Sequence, residues 1–139
     1  MGTIIKPELS KKNQYWIDRH RYYELKHFCM QYKFWRDVYL SIDGRVGCIP
    51  SWIPVSNTNE NSDPTADAAS AKLYYRDRIR MVEDAVREAD PDLAAYLFKS
   101  VIQGLSYEQV NASLRIPCSR DTFYDRYRKF FWILNKKRK

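Results

Sequence analysis

Three side chains near the start of the sequence have the types and spacing of metal ligands. His20, Glu24 and His27 stand at positions i, i+4 and i+7, so a helix would place them on one face, where they could offer three ligands to zinc. That face is opposite the apolar stripe of the same helix, and basic residues surround it. A solvated polar helix surface is the ordinary explanation, and the three residues are a weak metal candidate only.

The rest of the sequence offers little to a catalytic mechanism. No further carboxylates, and no nucleophile with a neighbouring base, cluster along the chain, and only 4 Gly leave no phosphate-binding loop. We therefore expect no enzyme and no cofactor. Cys29, Cys48 and Cys118 are odd in number and form no CxxC pair, which favours a reducing cytoplasm. Cys118 either reacts as a thiol at a helix start or simply packs.

The strongest candidate site is the basic C-terminal stretch. Residues 120–139 carry a net charge of +6, in a chain whose formal net charge is +7. Arg120, Tyr124 and Arg128 point away from Phe123 on a helix or flank that side, and we expect them to reach base edges or phosphates. The complete predicted nucleic-acid-binding set is Arg120, Thr122, Tyr124, Arg126, Arg128, Lys129, Lys136, Lys137, Arg138 and Lys139.

Other features of this stretch keep two alternatives open. Asp121 and Asp125 lie on the same face and repel phosphate, unless they pair with Arg128 or accept from a cytosine amine. A solvated amphipathic helix with a basic tail is the plain alternative. Trp132 and Phe131 are expected to be exposed, and exposed aromatic side chains favour an interface with a protein or with a second copy of the chain.

Local signals predict the elements that would position these residues. Ser106 and Gln109 have the spacing of a capping box, so a short helix is expected to begin at Ser106. It breaks before Pro117, and Ser119 caps the next helix. Four large side chains then share one face of that helix, namely Phe123, Tyr127, Phe130 and Leu134. Two helices joined by a tight turn, the second of them basic, have the outline of a helix-turn-helix.

These residues also carry a family resemblance. The run Gly104 to Val110, followed by Leu114 and Ile116, resembles the helix-turn-helix of sigma-factor region 4 and of phage late-transcription regulators of the RinA and ArpU kind. Those families usually have glycine in the turn, where the backbone takes a positive φ, and this chain has Arg115. The whole chain resembles small proteins of Gram-positive phages and prophages at residues 22–26 and 116–121.

Helical periodicity predicts the remaining elements. Helices are expected from about Gln14 to Gln31, from Lys33 to Ile42, from Pro64 to about Glu88, and from Pro91 to Gln103, where Gly104 ends the last of them. The predicted fold class is all-α, with five or six helices, a C-terminal helix-turn-helix and an irregular loop in the middle. The predicted divisions are 1–42, 43–64 and 65–139, within one compact domain overall.

Taken together, the sequence predicts a phage-encoded, DNA-binding transcription regulator in the cytoplasm of a bacterial host. Duplex DNA is the expected partner, a homodimer is possible, and no membrane segment is expected because no apolar run approaches the required length. Residues 60–98 carry a net charge of −4, which suits a basic protein partner. An inhibitor of a host defence nuclease, of the anti-CRISPR kind, or of host RNA polymerase is therefore the alternative. The DNA-recognition subunit of a packaging motor is the second.

Overall fold

The fold is all-α in the part of the chain that the computed structural model describes, residues 13–43 and 64–138. Six helices are present there: α1 Arg19–Cys29, α2 Tyr32–Asp43, α3 Pro64–Ala89, α4 Ala94–Gln103, α5 Tyr107–Leu114 and α6 Arg120–Lys137. The predicted all-α class is confirmed, and the helix-turn-helix stays a prediction. The predicted loop between Asp43 and Pro64, with its Cys48, and the terminal Lys139 lie outside the described residues. None of the described helices is long and apolar enough to cross a membrane.

Most helix ends fall where the sequence signals place them. The capping box of α5 forms on both sides, with Gln109 Oε1 accepting from Ser106 N at 2.8 Å and Ser106 Oγ accepting from Gln109 N at 3.3 Å. Ser119 caps α6 through Thr122 N, and Gly104 ends α4 with a φ of 67°. Glycine suits that position because it has no Cβ to oppose a positive φ.

Two helices begin later than predicted. Asp18 caps α1 by accepting from His20 N at 3.0 Å, so the helix begins at Arg19 and not at Gln14. A carboxylate at this position satisfies an amide that the first helical turn leaves unbonded. In the same way, Asp90 Oδ1 accepts from the amides of Asp92 and Leu93, which holds residues 91–93 in a turn before α4 begins at Ala94.

The described residues belong to two compact units. The second in chain order runs Tyr32–Arg80 and combines α2 with the first part of α3. Its aromatic contacts include the rings of Phe34 and Tyr75, whose centroids are 6.2 Å apart. Trp35 and Val38 are buried. The predicted boundaries at 42 and 64 stay a prediction.

The other unit takes the chain through Gln31 and again from Met81, and it contains α1, the end of α3, α4, α5 and α6. The α6 helix packs against α1, α4 and α5. The four residues of its predicted apolar stripe are all buried, as expected. This unit holds every residue of the candidate site that the structure describes.

A buried pair of hydroxyls joins α1 to α6. Tyr22 and Tyr127 place their hydroxyl oxygens 2.8 Å apart, and the ring of Phe131 lies edge-on to both tyrosine rings. Burial, and then the neighbouring Tyr22 hydroxyl, raise the pKa of Tyr127 well above its usual range. The two hydroxyls satisfy each other, so the pair acts as a polar contact within an aromatic core.

Candidate nucleic-acid interface

The segment between α5 and α6 is short and held at several points. Asn111 accepts twice: its carbonyl accepts from Arg115 N at 3.0 Å, and its Oδ1 accepts from Ile116 N at 2.8 Å. The hydroxyl of Tyr107 donates to the carbonyl of Cys118 at 2.8 Å. Ile116 is buried. The start of α6 is therefore fixed relative to α5 by hydrogen bonds and packing.

Arg115 ends α5 in an unusual backbone conformation. Its φ is 53° and its ψ is 90°, and it is the non-glycine residue with a positive φ in the described part of the chain. Its side chain is exposed. The positive φ that the resemblance assigns to a turn glycine is thus present here, on an arginine.

The exposed side of α6 is rotated from the predicted one. Tyr124 is only 5% exposed and Phe131 only 1%, so the predictions that Tyr124 reads bases and that Phe131 is exposed are wrong. The Tyr124 hydroxyl accepts from Tyr107 N at 3.0 Å, which occupies it within the fold. These two rings lie about 80–100° around the helix from Phe123, taking about 100° per residue. They widen the buried face on that side, and the outward side moves toward Thr122, Asp125 and Lys129.

The basic end of α6 is engaged with other parts of the same unit. Lys137 Nζ lies 3.1 Å from Glu88 Oε2. The guanidinium of Arg138 lies 4.2 Å from the ring centroid of Phe28, and Arg138 Nη2 lies 3.7 Å from Glu24 Oε1. The Arg138 carbonyl accepts from Arg21 Nη2. These contacts use cations that the sequence assigned to the DNA backbone.

Trp132 is also engaged and not fully exposed as predicted. Lys136 Nζ stands 3.3 Å from its ring centroid, and the ring of Tyr15 meets it edge-on at 5.5 Å. Trp132 is intermediate in exposure, whereas Lys136 is exposed. The ammonium group therefore covers one side of the indole and stays accessible to solvent.

Three more of the predicted residues have partners near the start and middle of α6. Arg126 binds two carboxylates, Asp90 at 3.2 Å and Asp125 at 2.8 Å. Arg120 Nε lies 2.9 Å from Glu108 Oε1, and its guanidinium lies 5.1 Å from the ring centroid of Tyr124. The hydroxyl of Thr122 is hydrogen-bonded to that of Ser119, at 3.0 Å.

Arg128 and Lys129 differ from the other predicted cations. Neither has an ion pair, hydrogen bond or ring contact within residues 13–43 and 64–138. They lie next to each other in the middle of α6, both intermediate in exposure. Two positive charges without an internal counter-ion form the part of the basic helix that is available to an anion.

Asp121 also lacks an internal partner, but its charge is negative. It is exposed in the first turn of α6 and has no partner in the described part of the chain. Pairing with Arg128 was one of two ways in which Asp121 and Asp125 could avoid repelling phosphate, and Asp125 pairs with Arg126 instead. One of the two carboxylates is thus neutralised.

The metal candidate is not supported. Among the described residues no group of three His, Cys, Asp or Glu side chains is arranged to hold a metal ion. Glu24, the central member of the candidate, forms an ion pair of 2.8 Å with Arg21. The carboxylate of this helix face is therefore paired with an arginine of the same helix.

The thiol of Cys118 is not prepared for nucleophilic chemistry. Burial, and then the charge of Asp90, raise the pKa of Cys118 above its usual value, against a smaller lowering by Arg126. A reactive cysteine requires the opposite shift, because the thiolate is the nucleophile. Of the two roles open for Cys118, packing in the turn agrees with its surroundings.

Comparison with known proteins adds no relative. No protein-family model matches the chain, and comparison with curated proteins and with solved structures gives no match either.

Proposed function

We propose that this chain is a duplex-DNA-binding protein of the phage transcription-regulator type, with α5 and α6 as the two helices of a helix-turn-helix. The observation that carries the proposal is the pair Arg128 and Lys129, two adjacent cations without an internal counter-ion on the helix that the turn holds in place. In such motifs the second helix lies in the major groove, and cations along it bind backbone phosphates.

The charges around this pair support the proposal. Asp125 would otherwise repel phosphate from the outward side of α6, but Arg126 neutralises it at 2.8 Å. Lys136 stays exposed above Trp132, close to the same side of the helix. The outward side of α6 is therefore less acidic than its sequence alone indicates.

The basic tail takes a smaller part in this mechanism than its charge suggests. Lys137 and Arg138 are paired with Glu88 and Glu24, so a phosphate would have to replace a carboxylate that is already bound. Exchanging one anion for another gains little free energy. We therefore assign most of the phosphate binding to the middle of α6.

The test is fluorescence anisotropy with a mixed-sequence duplex DNA, over a series of salt concentrations, for the wild type and for Arg128→Ala/Lys129→Ala. Each phosphate contact contributes about 0.9 to the slope of log affinity against log salt. The double variant should lose affinity, and its slope should be smaller by about 2.

The matched control is Arg36→Ala/Arg80→Ala, which removes the same charge from two exposed arginines of the other unit. It should bind as the wild type does, apart from a small general charge effect. Equal losses in both double variants would mean that net charge alone causes binding. A wild type that ignores duplex DNA at low salt would refute the proposal.

A second candidate function is binding to a host protein, such as a defence nuclease or RNA polymerase. Two exposed features favour it: Leu114 is 43% exposed at the end of α5, and Asp121 is an unpaired exposed carboxylate at the start of α6. An exposed apolar side chain and an exposed acidic one suit a protein partner better than a phosphate backbone. Co-purification from infected host lysate after nuclease treatment distinguishes the two, because a protein bound only through DNA is lost.

A further inference from the structure

We infer that Arg115, which no sequence pattern marked as a binding residue, binds a backbone phosphate of the duplex. This inference rests on the proposed function, since it needs duplex DNA as the ligand. Arg115 lies between the two helices of the proposed motif, and its exposed guanidinium has no partner in the described part of the chain. The ligand class is the phosphodiester, an anion that a guanidinium binds in a bidentate manner.

The backbone of Arg115 makes its residue type unexpected. At φ 53° and ψ 90° an L side chain is strained, because its Cβ crowds the neighbouring carbonyl oxygen. Glycine would take this conformation without that cost. The fold alone would therefore be more stable with glycine at position 115, and arginine there has a cost that no internal contact of its side chain offsets.

Hydrogen bonds and packing on both sides of Arg115 hold it in the strained conformation. Asn111 accepts from the amides of Arg115 and Ile116, and Ile116 is buried directly after it. The chain therefore holds Arg115 in this conformation whether or not DNA is present. A pre-set cation loses little conformational freedom on binding, which favours affinity.

The distance along α6 from its start to Arg128 and Lys129 agrees with phosphate contacts to both backbones, one of them near Arg115. Arg128 and Lys129 follow the cap residue Ser119 by roughly 14 Å, at about 1.5 Å of rise per residue. The major groove of B-DNA is about 12 Å wide between its two backbones. If α6 lies in the groove as proposed, with its start near one backbone, its middle is about one groove width away and near the other. Arg115 serves the first and Arg128 with Lys129 the second.

The test compares three substitutions of Arg115, of which the first two remove the charge and only the first also removes the strain. Arg115→Gly removes the charge and the strain, so we expect its urea midpoint to rise while the salt slope of duplex binding falls by about 1. Arg115→Gln removes the charge and keeps the strain, so the slope should fall equally without a rise in the urea midpoint. Arg115→Lys keeps the charge and should keep the slope.

The outcomes separate this inference from the proposed function. If Arg115→Gly and Arg115→Gln bind with the wild-type slope, while Arg128→Ala/Lys129→Ala loses about 2, the inference is wrong and the proposed function stands. If the wild type does not bind duplex DNA, both are wrong. If the slope falls only for Arg115→Gly, the loss comes from backbone rearrangement and not from the missing charge, which also overturns the inference.

Discussion

The inward and outward sides of α6 carry different residue types and use their polar groups differently. On the inward side, Tyr127 is hydrogen-bonded to Tyr22, and Tyr124 is hydrogen-bonded to the backbone of Tyr107. On the outward side, Arg128 and Lys129 have no partner within the described residues. The tyrosines of the inward side are therefore structural, and the two basic residues of the outward side are available to a partner.

The basic residues of α6 also differ in whether they have partners within the fold. Those near the C-terminal end of α6, Lys137 and Arg138, are bound to carboxylates and to a ring, whereas the two in the middle are not. Formal charge counted along a sequence overstates the charge that a partner meets. The comparison predicts that changes on the inward side act on stability and that changes on the outward side act on binding.

The largest effect is expected from the inward side. Phe130 is fully buried, and Phe130→Ala should lower the free energy of unfolding by about 3–5 kcal/mol, because the removed ring leaves a cavity in packed surroundings. Urea denaturation followed by tryptophan fluorescence measures it. Asp121→Ala on the outward side is the control and should change stability little. A loss below about 1 kcal/mol for Phe130→Ala would place α6 outside the core.

The next largest effect on stability is expected from the contacts that hold the C-terminal end of α6. Arg21 donates to Asn135 Oδ1 at 2.7 Å, to the Arg138 carbonyl and to Glu24. Arg21→Ala should lower the free energy of unfolding by about 1–3 kcal/mol, mostly through the two acceptors on the C-terminal segment. Arg19→Ala, an exposed neighbour on the same helix, serves as the control in the same urea titration. Equal effects would mean that the tail is held by general charge alone.

The buried hydroxyls of Tyr22 and Tyr127 should make the free energy of unfolding depend on pH. The raised pKa of Tyr127 means that the native state keeps its proton above pH 10, about where an unfolded tyrosine loses it. The unfolded state then binds fewer protons, so stability falls as the pH rises above about 10, and it is unaffected by this pair at lower pH.

The check is urea denaturation at pH 8 and at pH 10.5 for the wild type and for Tyr22→Phe/Tyr127→Phe. The double variant removes both hydroxyls together, so neither is left buried without a partner. Its loss of stability between the two pH values should be smaller than that of the wild type. Identical losses would show that other groups cause the alkaline destabilisation.

The fold was predictable from the sequence where the signals are local. The Ser106 capping box, the cap at Ser119 and the end of α4 at Gly104 each depend on residues within one helical turn, and all three are confirmed. The start of α1 was placed five residues too early because periodicity continues into the turn before it. The carboxylate of Asp18 fixes the start.

The candidate site was less predictable because its contacts cross the chain. Periodicity gave the middle of the buried stripe of α6, but its width depends on α1, whose Tyr22 meets Phe131. The pair of Arg126 with Asp90 spans 36 positions, and no local pattern indicates it. Arg115 shows the intermediate case: the resemblance indicated where a positive φ belongs, but not that its side chain would stand free.

The smallest effect on stability is expected from the outward side, and it is the sharpest test of the comparison. Arg128→Ala/Lys129→Ala removes two charges that have no ion pair, hydrogen bond or ring contact within the described residues, so the free energy of unfolding should stay within about 0.5 kcal/mol of the wild type. Alanine also favours helices, which works against any loss. Lys137→Ala, which breaks the pair with Glu88, should cost slightly more, about 0.2–1 kcal/mol. A double variant less stable than Lys137→Ala would show that the middle of α6 is structural after all, and its binding data would then report on folding.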